Sequence, residues 1–281
     1  MKKTNIRYYY PDGSFYLSHQ NRSEYYDMSS NHFHNQYELY YLISGERYYF
    51  IKDRVVHIRP GDLVLINKND LHKTTDAGTE AHIRTVINFD KNFVLSSFHM
   101  DDLIKELFTN ENCIVPFLPA DRQYVESCFS RMIYEIQNKA VGFEISLQLI
   151  LMELMIYTRR YIEAHPAPTL ANPSPMHKKV SEIAQYINDN FNAPLSLSSV
   201  SQRFFISQYY LSRTFKETTG FTFIEYLNSI RIREAQHLLL ETNDPITMIA
   251  EKVGFGNISH FGRVFKAITK VSPMAFRKLH T

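Results

Sequence analysis

Residues Ser207–Lys216 (SQYYLSRTFK) align with Asn257–Lys266 (NISHFGRVFK), fifty positions further along the chain. Just upstream, Leu197, Val200, Ser201 and Phe204 align with Ile246, Ile249, Ala250 and Val253 at an offset of forty-nine. A motif repeated this way must fold twice into the same unit, which constrains the C-terminal third more than any other feature. Each copy reads as a short helix, a tight turn and a second helix opened by an N-cap residue, Ser207 or Asn257. Leu211 and Phe215, like Phe261 and Phe265, lie four apart and face a core. Arg213 and Lys216, like Arg263 and Lys266, lie three apart on a different face. Ser201 and Ala250 are small enough for the close crossing of a helix-turn-helix.

Between the copies, Thr222 to Leu240 reads as one helix, begun after Gly220 and ended before Asp244-Pro245. At about 1.5 Å per residue it spans roughly 28 Å. Successive major grooves on one side of B-DNA lie about 34 Å apart, so the rod can set two recognition helices into adjacent grooves. Charge points the same way. Residues 177–281 hold 13 Lys/Arg against 8 Asp/Glu, giving +5, while residues 1–176 hold 18 against 21, giving −3. A basic tail on an acidic front suits a domain that meets nucleic acid.

The tail resembles the AraC/XylS family of bacterial transcription regulators. The resemblance rests on Leu211, Ser212, Arg213, Phe215 and Lys216 with Thr219-Gly220, then Arg231, Ala235, Leu238 and Leu239. Ile249, Ala250, Val253, Gly254, Phe255, Phe261, Arg263, Phe265, Lys266, Ser272, Pro273, Phe276 and Arg277 complete it, over about 100 residues. Two positions depart from the family pattern. Phe204-Phe205 stands where a glycine usually makes the first turn, so that turn must avoid a left-handed backbone or carry strain. Lys270 replaces a glycine before the final Ser-Pro. The resemblance implies that the exposed residues of both second helices meet DNA. In the first copy Gln208, Tyr209, Ser212 and Arg213 are base-edge candidates and Lys216 a phosphate candidate. In the second, Asn257, Ser259, His260 and Arg263 are base-edge candidates and Lys266 a phosphate candidate. Arginine offers guanine paired donors, glutamine and asparagine suit adenine, and lysine neutralises phosphate. Arg231 and Arg233 on the connecting helix suit either DNA backbone or pairing with Glu234 or Glu225.

The front of the chain reads differently. Residues 38–44, 48–52, 55–58, 62–66 and 83–89 are short runs rich in Tyr, Val, Ile and Leu, punctuated by Gly45, Pro60-Gly61 and Asn67–Asp70. This is the pattern of a small all-β sandwich or barrel. The period then becomes helical over 121–138 and 143–162. Their apolar surplus suits either a subunit interface or packing back onto the sheet. Four prolines between Glu163 and Pro175 mark a linker. The expected organisation is α+β and multidomain: a cupin-like antiparallel β barrel over 1–100, a helical, dimerising extension over 101–162, a linker over 163–176, and an all-α domain with two helix-turn-helix motifs over 177–281.

His32, His34 and Glu38, followed by Gly45, Pro60-Gly61-Asp62 and His72, resemble the cupin motif pair, and many AraC/XylS regulators resemble cupins in the effector domain. Alternation along a strand puts His32 and His34 on one face, with Glu38 at even spacing. Such a set suits a divalent metal, a polar effector bound without metal, or no ligand at all. His32, His34, Glu38, Tyr40 and His72 are the candidate effector residues, and the metal candidates are the same histidines and Glu38. Tyr37, Tyr40, Tyr41, Tyr48 and Tyr49 suit stacking on a sugar and equally suit a β core.

At 44% hydrophobic and 21% charged, the chain is not a disordered one. Two cysteines cannot make a disulfide framework, and Met1-Lys2-Lys3 is followed by no apolar leader, so a cytoplasmic protein is expected. The stretch from Ile145 to Tyr157, interrupted by Gln148 and Glu153, is too short to cross a bilayer. The expected function is a ligand-responsive, sequence-specific DNA-binding regulator, without cofactor and without enzymatic activity. Its expected partners are double-stranded DNA, a small molecule such as a carbohydrate, a second copy of the chain and, for an activator, RNA polymerase; a nucleoid location follows from DNA binding. The alternatives are a metal-dependent cupin enzyme with an accessory helical domain, and a regulator whose front domain only dimerises.

Overall fold

The structure, a computed structural model, describes residues 5–22, 34–68, 70–78, 81–94, 100–108, 113–165 and 174–280. Within them two antiparallel sheets face each other. The larger contains β1 (Ile6–Tyr9), β2 (Phe15–Arg22), β3 (Tyr37–Ser44), β6 (Asp62–Ile66), β8 (His82–Phe89) and β9 (Ile114–Pro116), in the order β1-β2-β8-β3-β6-β9. The smaller has the order β5-β4-β7, from β4 (Arg47–Ile51), β5 (Arg54–Ile58) and β7 (His72–Asp76). Among the described residues the sheets do not join edge to edge, so the expected closed barrel is corrected to an open two-sheet sandwich.

Strict alternation sorts side chains into three layers. Leu39, Tyr41, Leu63, Leu65 and Ile87 leave the large sheet on its outer face, toward α1 (Met100–Phe108), α2 (Pro119–Asn138) and α3 (Phe143–Ala164). Tyr40, Leu42, Tyr49, Val56, Val64 and Val86 fill the space between the sheets. Phe50, Val55 and Leu71 leave the small sheet on its far face. Being buried on both faces makes β6 read as an apolar run after Asp62, and β3 as one interrupted by Glu38. The helices therefore pack back onto the sheet, through Val125, Phe129, Met132, Leu147, Leu151 and Leu154. They leave Tyr134, Ile145, Leu149 and Ile156 exposed on the opposite side.

From residue 174 on, the regular elements are all helices: α4 (Pro175–Asp189), α5 (Leu197–Arg203), α6 (Gln208–Thr219), α7 (Phe223–Glu241), α8 (Ile246–Lys252), α9 (Ile258–Thr269) and α10 (Pro273–His280). The duplicated motif forms α5–α6 and α8–α9. Ser207 Oγ accepts from the Tyr210 amide at 3.1 Å and Asn257 Oδ1 from the His260 amide at 2.9 Å, closing both recognition helices at their N-termini. The connecting rod α7 begins at a capping box between Thr222 and Glu225. Separate cores serve the two motifs: Leu211, Phe215, Tyr226 and Ile230 in the first, Ala235, Ile249, Phe261 and Phe265 in the second.

The first core does not end at the domain boundary. Phe50, Val55 and Leu71 of the small sheet belong to it, with the Phe50 ring 5.7 Å from that of Tyr226 and 6.3 Å from that of Phe221. Tyr226 Oη donates to the Lys52 carbonyl at 2.7 Å, Lys73 Nζ to the Gly220 carbonyl at 3.1 Å, and Val55 N to Ser181 Oγ at 3.4 Å. The β sandwich is thus docked on the first helix-turn-helix through an apolar patch ringed by hydrogen bonds.

Candidate effector site and DNA interface

Between the sheets, β3, β7 and β8 bring together a buried polar cluster. Glu38 is its centre. Its Oε1 accepts from Tyr49 Oη at 3.0 Å and its Oε2 from Asn88 Nδ2 at 2.9 Å. His34 Nε2 stands 3.1 Å and His72 Nε2 3.7 Å from the same Oε2. Asn88 Nδ2 also lies 3.1 Å from His34 Nε2. Burial alone would raise the Glu38 carboxyl, but the charge of His72 and the hydrogen bond from His34 hold it well below the carboxylate range. Burial and the Glu38 charge together push Tyr49 well above its usual value, so it stays a donor.

Of the residues expected here, His34, Glu38 and His72 converge, and His32 lies outside the described residues. Tyr40 lies in the same inter-sheet layer, edge-on to Tyr49 at 5.2 Å, with Arg84 over its ring at 5.4 Å. The other tyrosines separate: Tyr37 and Tyr41 pack toward the helices, and Tyr48 lies against His177 of α4 at 4.7 Å. Asn88 had escaped the reading of the sequence. Its signal is a polar residue at an inward position of an otherwise apolar strand.

In the helical half, Gln208, Tyr209, Ser212, Arg213 and Lys216 are all exposed on α6, and Ser259, His260, Arg263 and Lys266 on α9. Asn257 is exposed at the α9 N-cap, where its Oδ1 is already engaged by the His260 amide. The two helices differ in one respect: Arg213 Nε donates to Glu217 Oε1 at 2.8 Å, whereas Ala267 stands at the equivalent place on α9. Arg231 does neither of the things its position suggested. It is buried, donating to the carbonyls of Phe191 at 2.8 Å and Ala193 at 2.9 Å. Phe205 carries the strain expected of the first turn, at φ 55°, while its counterpart in the second copy is Gly254 at φ 89°.

Tyr209, Ser212, Arg213 and Lys216 line a cleft of about 1010 Å³ whose opposite wall includes Lys73, Thr75 and Asp76 of β7. The face of α6 that carries these four residues therefore looks toward the effector domain.

An effector domain of two β sheets docked on a pair of helix-turn-helix motifs defines a ligand-responsive DNA-binding regulator. Residues 15–155 match the AraC-like ligand binding domain and residues 200–279 a helix-turn-helix domain. The chain belongs to the AraC family of transcription regulators. It is 26% identical over 279 residues to the uncharacterized HTH-type transcriptional regulator YfiF of Bacillus subtilis, covering 96% of this chain and 85% of that one. A second regulator of that organism, YisR, is 25% identical over 86% of each chain. Among solved structures, the C-terminal domain of AraT, a response regulator from Geobacillus stearothermophilus, is 38% identical over 38% of this chain and 88% of that one, with a TM-score of 0.37. No helix among the described residues is long and apolar enough to cross a membrane.

Proposed function

We propose that the inter-sheet cluster of His34, Glu38, Tyr49, His72 and Asn88 is the effector site, and that its occupancy sets how firmly the sandwich holds α6. One observation carries this reading. Along β4, and along β7 with the residue before it, the site residues and the docking residues alternate: Tyr49 and His72 point inward, while Phe50, Leu71 and Lys73 point to the helices. Phe50 pairs with Lys73 across these two strands. A ligand that shifts His72 or Tyr49 must therefore shift the next residue along the strand, which touches the DNA-binding half. With β7 held against α6, the cleft is far too small for a duplex, so reading by α6 requires the sandwich to release it.

On release, Arg213 and Arg263 contact base edges together with Gln208, Tyr209, Ser212, Asn257, Ser259 and His260, and Lys216 and Lys266 neutralise phosphates. A second copy of the chain covers the exposed apolar side of α2 and α3, and the cluster regulates rather than catalyses. Selection of bound sequences from random duplexes tests the assignment. The wild-type chain enriches a defined site, and the Arg213→Ala, Arg263→Ala double variant loses the preference. Enrichment of the same site by the double variant refutes the recognition faces.

A further inference from the structure

The inner ring nitrogens of the effector cluster are aimed from behind. His34 Nδ1 lies 2.9 Å from the Gln36 carbonyl oxygen, and His72 Nδ1 lies 2.7 Å from the Asp70 carbonyl oxygen. A carbonyl only accepts, so each ring carries a proton on Nδ1 and turns Nε2 inward. Ligating imidazoles are held this way, the outer nitrogen donating to a backbone oxygen; the inner nitrogens face Glu38 Oε2, and an ion would take the place of the protons they carry there. The third group, Glu38, is fixed from its far oxygen by Tyr49 Oη.

The spacing suits a small cation. The Nε2 atoms stand 3.1 Å and 3.7 Å from Glu38 Oε2, and one ligand atom from each of the three residues lies within 4.8 Å of the others. Donors about 2.1 Å from a shared ion stand about 3.0 Å apart at a right angle and about 3.4 Å apart at the tetrahedral angle. Only small side-chain adjustments separate the two arrangements. The Asn88 amide, which donates to Glu38 Oε2 and faces His34 Nε2, offers a partial positive charge where an ion would bring a full one.

We propose that His34, Glu38 and His72 bind one divalent first-row transition-metal ion through two imidazole nitrogens and a carboxylate oxygen. Two imidazoles favour zinc, iron, cobalt or nickel over magnesium and calcium, which prefer an all-oxygen set. The proposal deepens the effector-site reading and rests on it for the consequence at DNA. His72 is a ligand, and Lys73 beside it holds Gly220, so the ion acts on the strand that docks α6.

The test titrates the chelator-stripped full-length chain with Co²⁺, then displaces it with Zn²⁺, using Mg²⁺ as the hard-cation control. One equivalent of Co²⁺ per chain with a visible ligand-field band, displaced by Zn²⁺ and not by Mg²⁺, is expected. His72→Ala and Glu38→Gln should each weaken binding on the order of 100-fold. Asn88→Asp, which adds a carboxylate beside the same atoms, should tighten it. Failure of the folded wild-type chain to take up a stoichiometric ion overturns the proposal, as does unchanged uptake in a folded His72→Ala chain. The wild-type titration stands even where a variant does not fold. Duplex selection on the same preparation separates the two readings. Site selection without metal uptake removes only the metal, and metal uptake without site selection removes the regulatory reading while leaving the ion site.

Discussion

Lys73 Nζ donates to the Gly220 carbonyl at 3.1 Å, joining the strand that carries His72 to the C-terminal cap of the first recognition helix. Gly220 closes α6 in the left-handed region at φ 75°, which exposes its carbonyl to the incoming ammonium. Helix C-termini attract cations, so the contact is electrostatic as well as geometric. If the docked state withholds α6, Lys73→Ala raises affinity for the selected duplex by up to about fivefold, the equivalent of about 1 kcal/mol. Fluorescence anisotropy against a labelled site measures it. Equal or weaker binding by a folded variant rejects a withholding role for this contact.

The strained turn gives an expectation for stability. Phe205 holds φ 55° with its side chain 95% exposed, so nothing packed is lost on truncation. Phe205→Gly should stabilise the domain by about 1 kcal/mol, and Lys270→Gly, at φ 70°, by a similar amount. The converse substitution is harsher. A Cβ at Gly254 would lie 2.8 Å from the Asn192 carbonyl oxygen, so Gly254→Ala destabilises. Thermal unfolding of the three variants decides the matter, and a lower Tm for Phe205→Gly contradicts it.

That turn was legible in the sequence because the repeat aligns Phe205 with Gly254, and local rules carry over from one copy to the other. The caps at Ser207 and Asn257 were legible for the same reason, being set by neighbouring residues. What sequence reading missed depends on distant partners. Strand β7 (HKTTD) has no apolar alternation, because its inward residues are His72 and Thr74 and its outward one is Lys73. Strand β2 carries polar residues and pairs with β8, some sixty to seventy residues on, and β1 is placed only through β2. The site itself was half visible. His34, Glu38 and His72 stood out by type and spacing, but Asn88 acquires its role only from the pairing of β3 with β8. The docking of Phe50 on Tyr226 joins residues 176 apart, and no local pattern announces it.

Arg231 should matter for folding rather than for reading DNA. It donates to two carbonyls of the α4–α5 loop and lies 5.5 Å from the centre of the Phe255 ring, so one side chain ties the first motif to the second. Arg231→Ala leaves both half-buried carbonyls without these donors, at about 1–3 kcal/mol. Lysine cannot reproduce the fork, so Arg231→Lys recovers little of the loss. Denaturant unfolding measures the effect. A fully stable Arg231→Ala chain with lost DNA affinity would reverse this assignment.

Glu217 places a negative charge beside the proposed base-reading residue Arg213. The pair is exposed on both sides and adds little to stability, so Glu217→Ala should leave Tm nearly unchanged. It removes a charge that repels phosphate and frees Arg213, so duplex affinity rises several-fold, more at low salt than at high. Salt-dependent binding curves test this, and indifference to Glu217 at low salt argues that α6 does not approach the duplex by this face.

His177 makes the docked state sensitive to pH. Its ring lies against Tyr48 at the junction, and burial, helped by the nearby charge of His57, lowers its pKa. Docked, the ring resists protonation; undocked, it takes a proton near the ordinary value of about 6.5. The undocked form therefore binds more protons between the lowered value and about 6.5, and docking is favoured as pH rises through that window. It follows that docking weakens as pH falls below about 6.5 and stops weakening once the docked ring also titrates. His177→Asn, which keeps a polar group beside Ser174 but does not titrate, should flatten this part of the profile. Limited proteolysis of the junction at pH values on either side of the window reads the docked population in both chains. Identical pH profiles for the two chains would show that the junction does not sense protons through His177.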